Sequence, residues 1–167
     1  MKKLIRGVVC LGLIVVFNMP AWSLTAQESK ATRPADIGPE TIDVSSYPAN
    51  QQANYKLFLS KCSKCHSPAR AIWSKITTEE DWDHFVSLMH ARLISRGMGP
   101  VWKPSEGRAI IDFLAYDSKI RKVDNKLAFE EQLRQLNVRY EAVQKEKAEA
   151  AKNQPTKPSA PYTGANP

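Results

Sequence analysis

Several patterns are missing from this 167-residue chain, and each absence narrows its class. Nothing alternates apolar and polar over five or more residues, so no half-buried β-strand is expected. No internal repeat is found, which excludes a solenoid or propeller. No stripe of Lys and Arg interleaves with aromatics, so nothing argues for nucleic acid. No apolar run reaches the roughly 20 residues of a membrane-spanning helix. Glycine is sparse, 7 against 11 prolines, a balance that hints at extended linkers or tails. Cysteine is scarcer still, with three in the chain, Cys10, Cys62 and Cys65.

The first residues read as an export signal. Lys2, Lys3 and Arg6 open the chain, Gly7 to Phe17 is uncharged and mostly apolar, and Ala21-Trp22-Ser23 carries small residues where a signal peptidase reads. Cleavage is expected near Ser23, leaving a periplasmic protein. An uncleaved anchor is the alternative, but the apolar run is short for it. A lipoprotein reading through Cys10 is weak, because Val9 is too bulky for a lipobox and the cysteine lies early within the apolar run. Losing Lys2, Lys3 and Arg6 lowers the formal charge from +7 to +4, a mild bias toward acidic partners.

Residues 24–46 are polar and contain Pro34 and Pro39, the pattern of a flexible linker with little structure of its own. Residues 47–121 look globular and show helical periodicity. A first helix is predicted from Pro48 to Lys61, with Tyr55, Phe58 and Leu59 as its apolar stripe. Thr77 or Thr78 is expected to cap a second helix through Arg92, with acidic Glu79, Glu80 and Asp81 in its first turn. Its stripe is Trp82, Phe85, Val86, Met89 and Leu93. After a loop at 95–100, Ser105 is expected to cap a last core helix carrying Ile110, Ile111, Phe113 and Leu114. Residues 123–152 then read as one long helix, and 153–167, with four prolines, as a disordered tail.

The chemistry concentrates at Cys62-Ser63-Lys64-Cys65-His66, the Cys-x-x-Cys-His signature of c-type haem attachment. Two thiols add across the porphyrin vinyls as thioethers, and the next residue brings an imidazole under the iron as proximal ligand. A thioredoxin-like pair needs a strand-and-helix alternation that is missing here. A structural zinc site needs a fourth ligand beyond Cys62, Cys65 and His66, which His84, His90 or an acid would have to supply. A plain disulfide leaves His66 unexplained.

For the second axial ligand, Met89 on the helix stripe is the first choice, Met98 in the Gly-Met-Gly-Pro loop the alternative, and His90 a third. The bland reading of Met89 is core packing and of Met98 a loop contact. The outward ring nitrogen of His66 needs an acceptor such as a backbone carbonyl, for which Pro68 is a candidate. Arg70 is a candidate partner for a haem propionate, or a solvated charge. Trp73 and Trp82 would wall the haem or belong to ordinary core.

These residues resemble the class I monohaem cytochromes c, over about residues 50–120. The resemblance rests on Cys62 to Arg70 as a Cys-x-x-Cys-His-x-x-x-Arg opening, on a Trp-containing helix from Trp82 ending in Met89, and on Phe113-Leu114. Many class I members carry Gly-Pro-x-Leu after the haem motif, and this chain does not. The resemblance implies an all-α fold, a small three-helix cytochrome c-like domain around one haem, here with a long C-terminal helix added. It also supports Met89 as the ligand opposite His66.

In the C-terminal helix, Phe129, Leu133, Leu136, Tyr140 and Val143 form a short heptad seam. Such a helix is barely stable alone. It is expected to pack on its own domain or on a partner subunit rather than on a second copy.

The function expected is electron transfer through one covalent haem c, as a carrier or as the electron-accepting subunit of an oxidoreductase complex. His and Met ligation leaves no open iron position, so the chain is not expected to be an enzyme. Lys61, Lys64 and Arg70 around the motif suit a redox partner with an acidic docking face. The alternatives are a haem-based sensor or gas-binding module, and an assembly subunit acting through the C-terminal helix.

Overall fold

A computed structural model describes residues 24–153. The expected signal segment and the expected tail after Asn153 lie outside the described residues. Among those residues every regular element is helical and no strand forms. The order is α1 (Ala26–Lys30), a 3₁₀ turn (Pro34–Ile37), α2 (Ala49–Cys62), α3 (Ala69–Ile72), α4 (Glu79–Ser95), α5 (Pro104–Asp117), a π-helical stretch (Ser118–Asp124) and α6 (Lys126–Lys152).

Local chemistry explains most boundaries. At the start of α4 the Thr78 hydroxyl accepts from the Asp81 amide at 3.1 Å, with Glu79, Glu80 and Asp81 against the positive helix end. The helix ends at Gly97, whose φ of +74° is the left-handed conformation glycine adopts freely. There the Met98 amide donates to Leu93 at 3.1 Å and the Gly97 amide to Ile94 at 2.9 Å, the paired bonds of a Schellman cap. α5 starts two residues earlier than expected. Pro104 takes the first helical position, where its missing N–H costs nothing, and Lys103 rather than Ser105 is the cap residue. The Lys103 amide donates to the Glu106 carboxylate at 2.7 Å.

α5 is the centre of the packing, with α2 and α4 both against it. Phe58 from α2, Trp82 from α4, and Ile110 and Phe113 from α5 are fully buried. Rings of Tyr55, Phe58 and Phe113 meet at centroid distances of 5.1–6.4 Å. The apolar stripes read in the sequence for these three helices enter this core, except that Met89 and Leu93 at the far end of the α4 stripe are half-buried and outside it.

Where α5 passes into the π-helical stretch, the buried polar groups are paired, Nη1 of Arg121 excepted. Asp117, 1% exposed, pairs with Arg121 at 2.6 Å and accepts from the Tyr47 hydroxyl at 3.0 Å. Trp82 Nε1 donates to Ser118 at 2.9 Å, and Arg121 lies over the Trp73 and Phe129 rings. The long helix therefore begins at Lys126, three residues later than expected, after Asn125 interrupts the run with φ −112° and ψ 39°.

Residues 24–46 correct the linker expectation. They form a strap, carrying α1 and the 3₁₀ turn, that packs on α6 and α3. Its composition looks like linker because its anchors lie far away in sequence. Arg139 on α6 pairs with buried Glu28, and Arg70 on α3 pairs with buried Asp36. Tyr140 donates to the Thr32 carbonyl at 3.0 Å and Lys147 to the Ala31 carbonyl at 3.0 Å. The α6 seam thus packs on its own domain, through Phe129 and half-buried Leu133 and Leu136, and on the strap higher up.

Candidate functional site

α2 delivers Cys62 as its last helical residue, and Ser63 closes the turn with its amide donating to Leu59 at 3.2 Å. Pro68 and the Ser67 hydroxyl start α3, Ser67 Oγ accepting from the Ala69 amide at 3.1 Å. His66 is held between these helix ends and is half-buried. Its Nδ1 lies 3.0 Å from the Ser67 carbonyl. A carbonyl only accepts, so this contact puts the ring proton on Nδ1 and leaves the Nε2 lone pair available. Ser67 therefore fills the acceptor role for which Pro68 was the sequence candidate.

Neither Cys62 nor Cys65 is in a disulfide; Cys62 is half-buried and Cys65 exposed. Burial, with Cys65 as a lesser cause, pushes the Cys62 thiol up to about 12. A dithiol redox centre wants the opposite, a thiolate stabilised at a helix N-terminus. Cys62 is at a C-terminus, where the helix dipole disfavours negative charge. Among the described residues no three His, Cys, Asp or Glu side chains gather to hold a metal ion, so no zinc site is assembled there.

An open hollow of about 410 Å³ lies beside Cys65 and His66, bounded by Lys30, Asp36 and Arg70. Arg70 is not a free guanidinium. Its Nε and Nη2 donate to Asp36 at 2.7 and 2.8 Å and Nη2 also to the Thr32 hydroxyl at 3.1 Å, which corrects the solvated-charge reading. Burial works to raise the Asp36 carboxyl, but donors from Arg70 and Thr32 outweigh it and hold it down at about 2. Lys61 is also spent. Its ammonium pairs with Glu106 at 2.9 Å and reaches the Val101 carbonyl at 3.5 Å, tying the motif end of α2 to the start of α5. Lys64 remains an exposed cation within the motif.

Met89 sits half-buried on α4, past Trp82 and Val86, which supply that helix's buried contacts. Met98 stands directly after the Schellman cap, 57% exposed, between Gly97 and Gly99 with φ of +74° and +68°. His90 packs on Trp102 at a ring distance of 5.0 Å. Its Nδ1 is buried without a hydrogen-bond partner. Trp82 is fully buried and Trp73 nearly so, stacked 6.0 Å from Phe129. Both belong to the core shared by α4, α5 and α6, and neither lines the hollow beside His66.

Asp36 and Glu28 are the residues of this region that sequence reasoning missed. One signal was present, the Thr25-x-x-Glu28 spacing of a capping box, which the structure makes with bonds of 2.9 and 3.1 Å. Comparison of the chain with protein-family models, with curated proteins and with solved structures finds no match to any of them.

Proposed function

We propose that this chain is an exported, periplasmic electron-transfer protein holding a single c-type haem on Cys62, Cys65 and His66. It acts as a carrier or as the electron-accepting subunit of an oxidoreductase complex. One observation carries the reading: two unpaired thiols at the haem-attachment spacing, followed by an imidazole whose Nδ1 is engaged by Ser67. The residues present fit the group in their donor chemistry, two sulfurs for thioethers and one nitrogen lone pair for iron.

When bound, haem supplies a one-electron couple at the iron. Cys62 and Cys65 anchor it, and the Ser67 carbonyl orients His66. Met89 is the proposed second ligand, with Met98 as the alternative. The Lys61–Glu106 pair braces the helix that ends in the motif. Exposed Lys64 is left to meet an acidic redox partner. In this reading the chain would carry no catalytic role, since His66 and Met89 would both hold the iron.

The test is a pyridine haemochrome spectrum with intact mass, on protein exported by a host that matures c-type cytochromes. One haem per chain, bound through two thioethers on a polypeptide beginning after Ser23, is the expected result. A colourless product with the mass of the bare polypeptide overturns the proposal.

A further inference from the structure

We propose that the cleft between α6 and the turn joining α3 to α4 docks an acidic, apolar-anchored peptide segment of a partner protein. This inference is independent of the haem reading. Two hollows of about 360 and 420 Å³ share Lys75, Leu133 and Asn137 and so adjoin. Along α6 the lining runs from Lys126 to Asn137, about 16 Å at the helical rise of 1.5 Å per residue. An extended peptide of about five residues covers that length, which is more than a lone small anion needs.

The floor is apolar. Half-buried Phe85 opens to one hollow and half-buried Leu133 to both, backed by the buried rings of Trp73 and Trp82 in the first and of Phe129 in the second. The rim is cationic, with Arg33 and Lys75 on one side and Lys126 and Arg134 on α6. Arg33 and Lys75 make no ion pair within the described residues. Among the described residues Lys126 and Arg134 pair only with exposed neighbours on their own helix, Glu130 at 3.7 Å and Glu131 at 2.6 Å. Glu130 is the one carboxylate lining either hollow among the described residues.

Charge complementarity selects the occupant. Neither end of this chain supplies it: residues 1–23 and 154–167 carry Lys2, Lys3, Arg6 and Lys157 and no Asp or Glu. A second copy of this chain, +7 in full and +4 after the expected cleavage, is a poor match as well. Nucleic acid stacks on exposed aromatic faces, and here Trp82 and Phe129 are buried. An acidic peptide with an apolar anchor satisfies both rim and floor.

The experiment is fluorescence anisotropy on the full exported chain. Its probe is a short labelled peptide in which acidic residues flank a central phenylalanine, beside a control with lysines in place of the acids. Binding of the acidic peptide alone is expected, weakening with salt. Joint Lys75→Glu and Lys126→Glu substitution is expected to weaken it about tenfold or more, and joint Lys75→Gln and Lys126→Gln to fall between. Thermal melts check that both variants fold, and the neutral pair serves if the charge-reversed one does not. Affinity unchanged by either pair overturns the proposal, as does equal binding of the lysine peptide. Displacement by inorganic phosphate alone would reassign the cleft to a small anion, and tighter binding of a single-stranded oligonucleotide would reassign it to nucleic acid.

Discussion

Arg139 of α6 closes on Glu28, 111 residues earlier, at 2.7 Å, and so fastens the start of the described chain to its last helix. The bond accounts for the fold of a segment whose composition suggests none. Together with Arg70 and Asp36 it makes two charge-assisted locks along one strap.

Acid should release the strap. Hydrogen bonding from Arg139, then from Thr25, holds the Glu28 carboxyl at about 2, and Asp36 is also held at about 2. Both pKa values are depressed in the folded state, so their stabilisation is present above the ordinary carboxylate range. It is lost as pH falls from about 4.5 toward 2. Thermal melts across that window should show a falling midpoint, and Glu28→Gln should flatten the fall. Arg139→Met should destabilise by about 1–3 kcal/mol at neutral pH, because the buried Glu28 carboxylate loses its charged donor and keeps the Thr25 amide. A melting profile independent of pH there would contradict the locks.

Gly38 should tolerate no side chain. A Cβ built on it would clash with Cδ1 of Trp73, whose Nε1 donates to the Pro39 carbonyl at 2.8 Å. Gly38→Ala must therefore push the indole or the strap aside, at about 1–3 kcal/mol. Urea unfolding followed by tryptophan fluorescence checks the loss. A substitution with no effect would mean that the strap lifts freely from α3.

Lys122 should make stability rise with pH. It is 4% exposed, and burial pushes its ammonium down to about 7, although Ile76, Ser74 and Ala71 offer oxygens at 3.1–3.5 Å. Between pH 7 and the ordinary lysine range the unfolded chain binds a proton that the folded chain does not, so stability increases with pH. Urea midpoints at pH 7 and pH 9 should show that increase, and Lys122→Met should remove most of it. A slope unchanged in Lys122→Met would locate the effect elsewhere.

The two methionines should separate. In the exported protein, Met89→Ala is expected to abolish the sulfur-to-iron band at the red end of the visible spectrum and lower the midpoint potential, while Met98→Ala leaves both unchanged. The reverse pattern would make Met98 the ligand. If neither substitution alters the band, sulfur ligation is wrong and a haem-based sensor becomes the better reading.

Much of the helical architecture was legible because periodicity is local. Tyr55 and Phe58, Trp82 and Val86, and Ile110, Ile111, Phe113 and Leu114 sit on their faces by spacing alone, and they enter the core. The cap at Thr78 was equally readable, since an N-cap needs only its own next few residues. The fate of Arg70 was not, because its partner Asp36 stands 34 residues away in a stretch that looks unstructured. Lys61, expected at the surface, was claimed by Glu106 for the same reason.

By itself the sequence determined the helical pattern and set Cys62, Cys65 and His66 at their spacing, since both depend on neighbours within a turn or two. Only the tertiary structure decided that residues 24–46 become a strap, that the α6 seam closes on its own domain, and that a cationic cleft opens beside it. Pairing of charges and burial of faces across more than a hundred residues depend on where the chain returns, and no local pattern encodes that return.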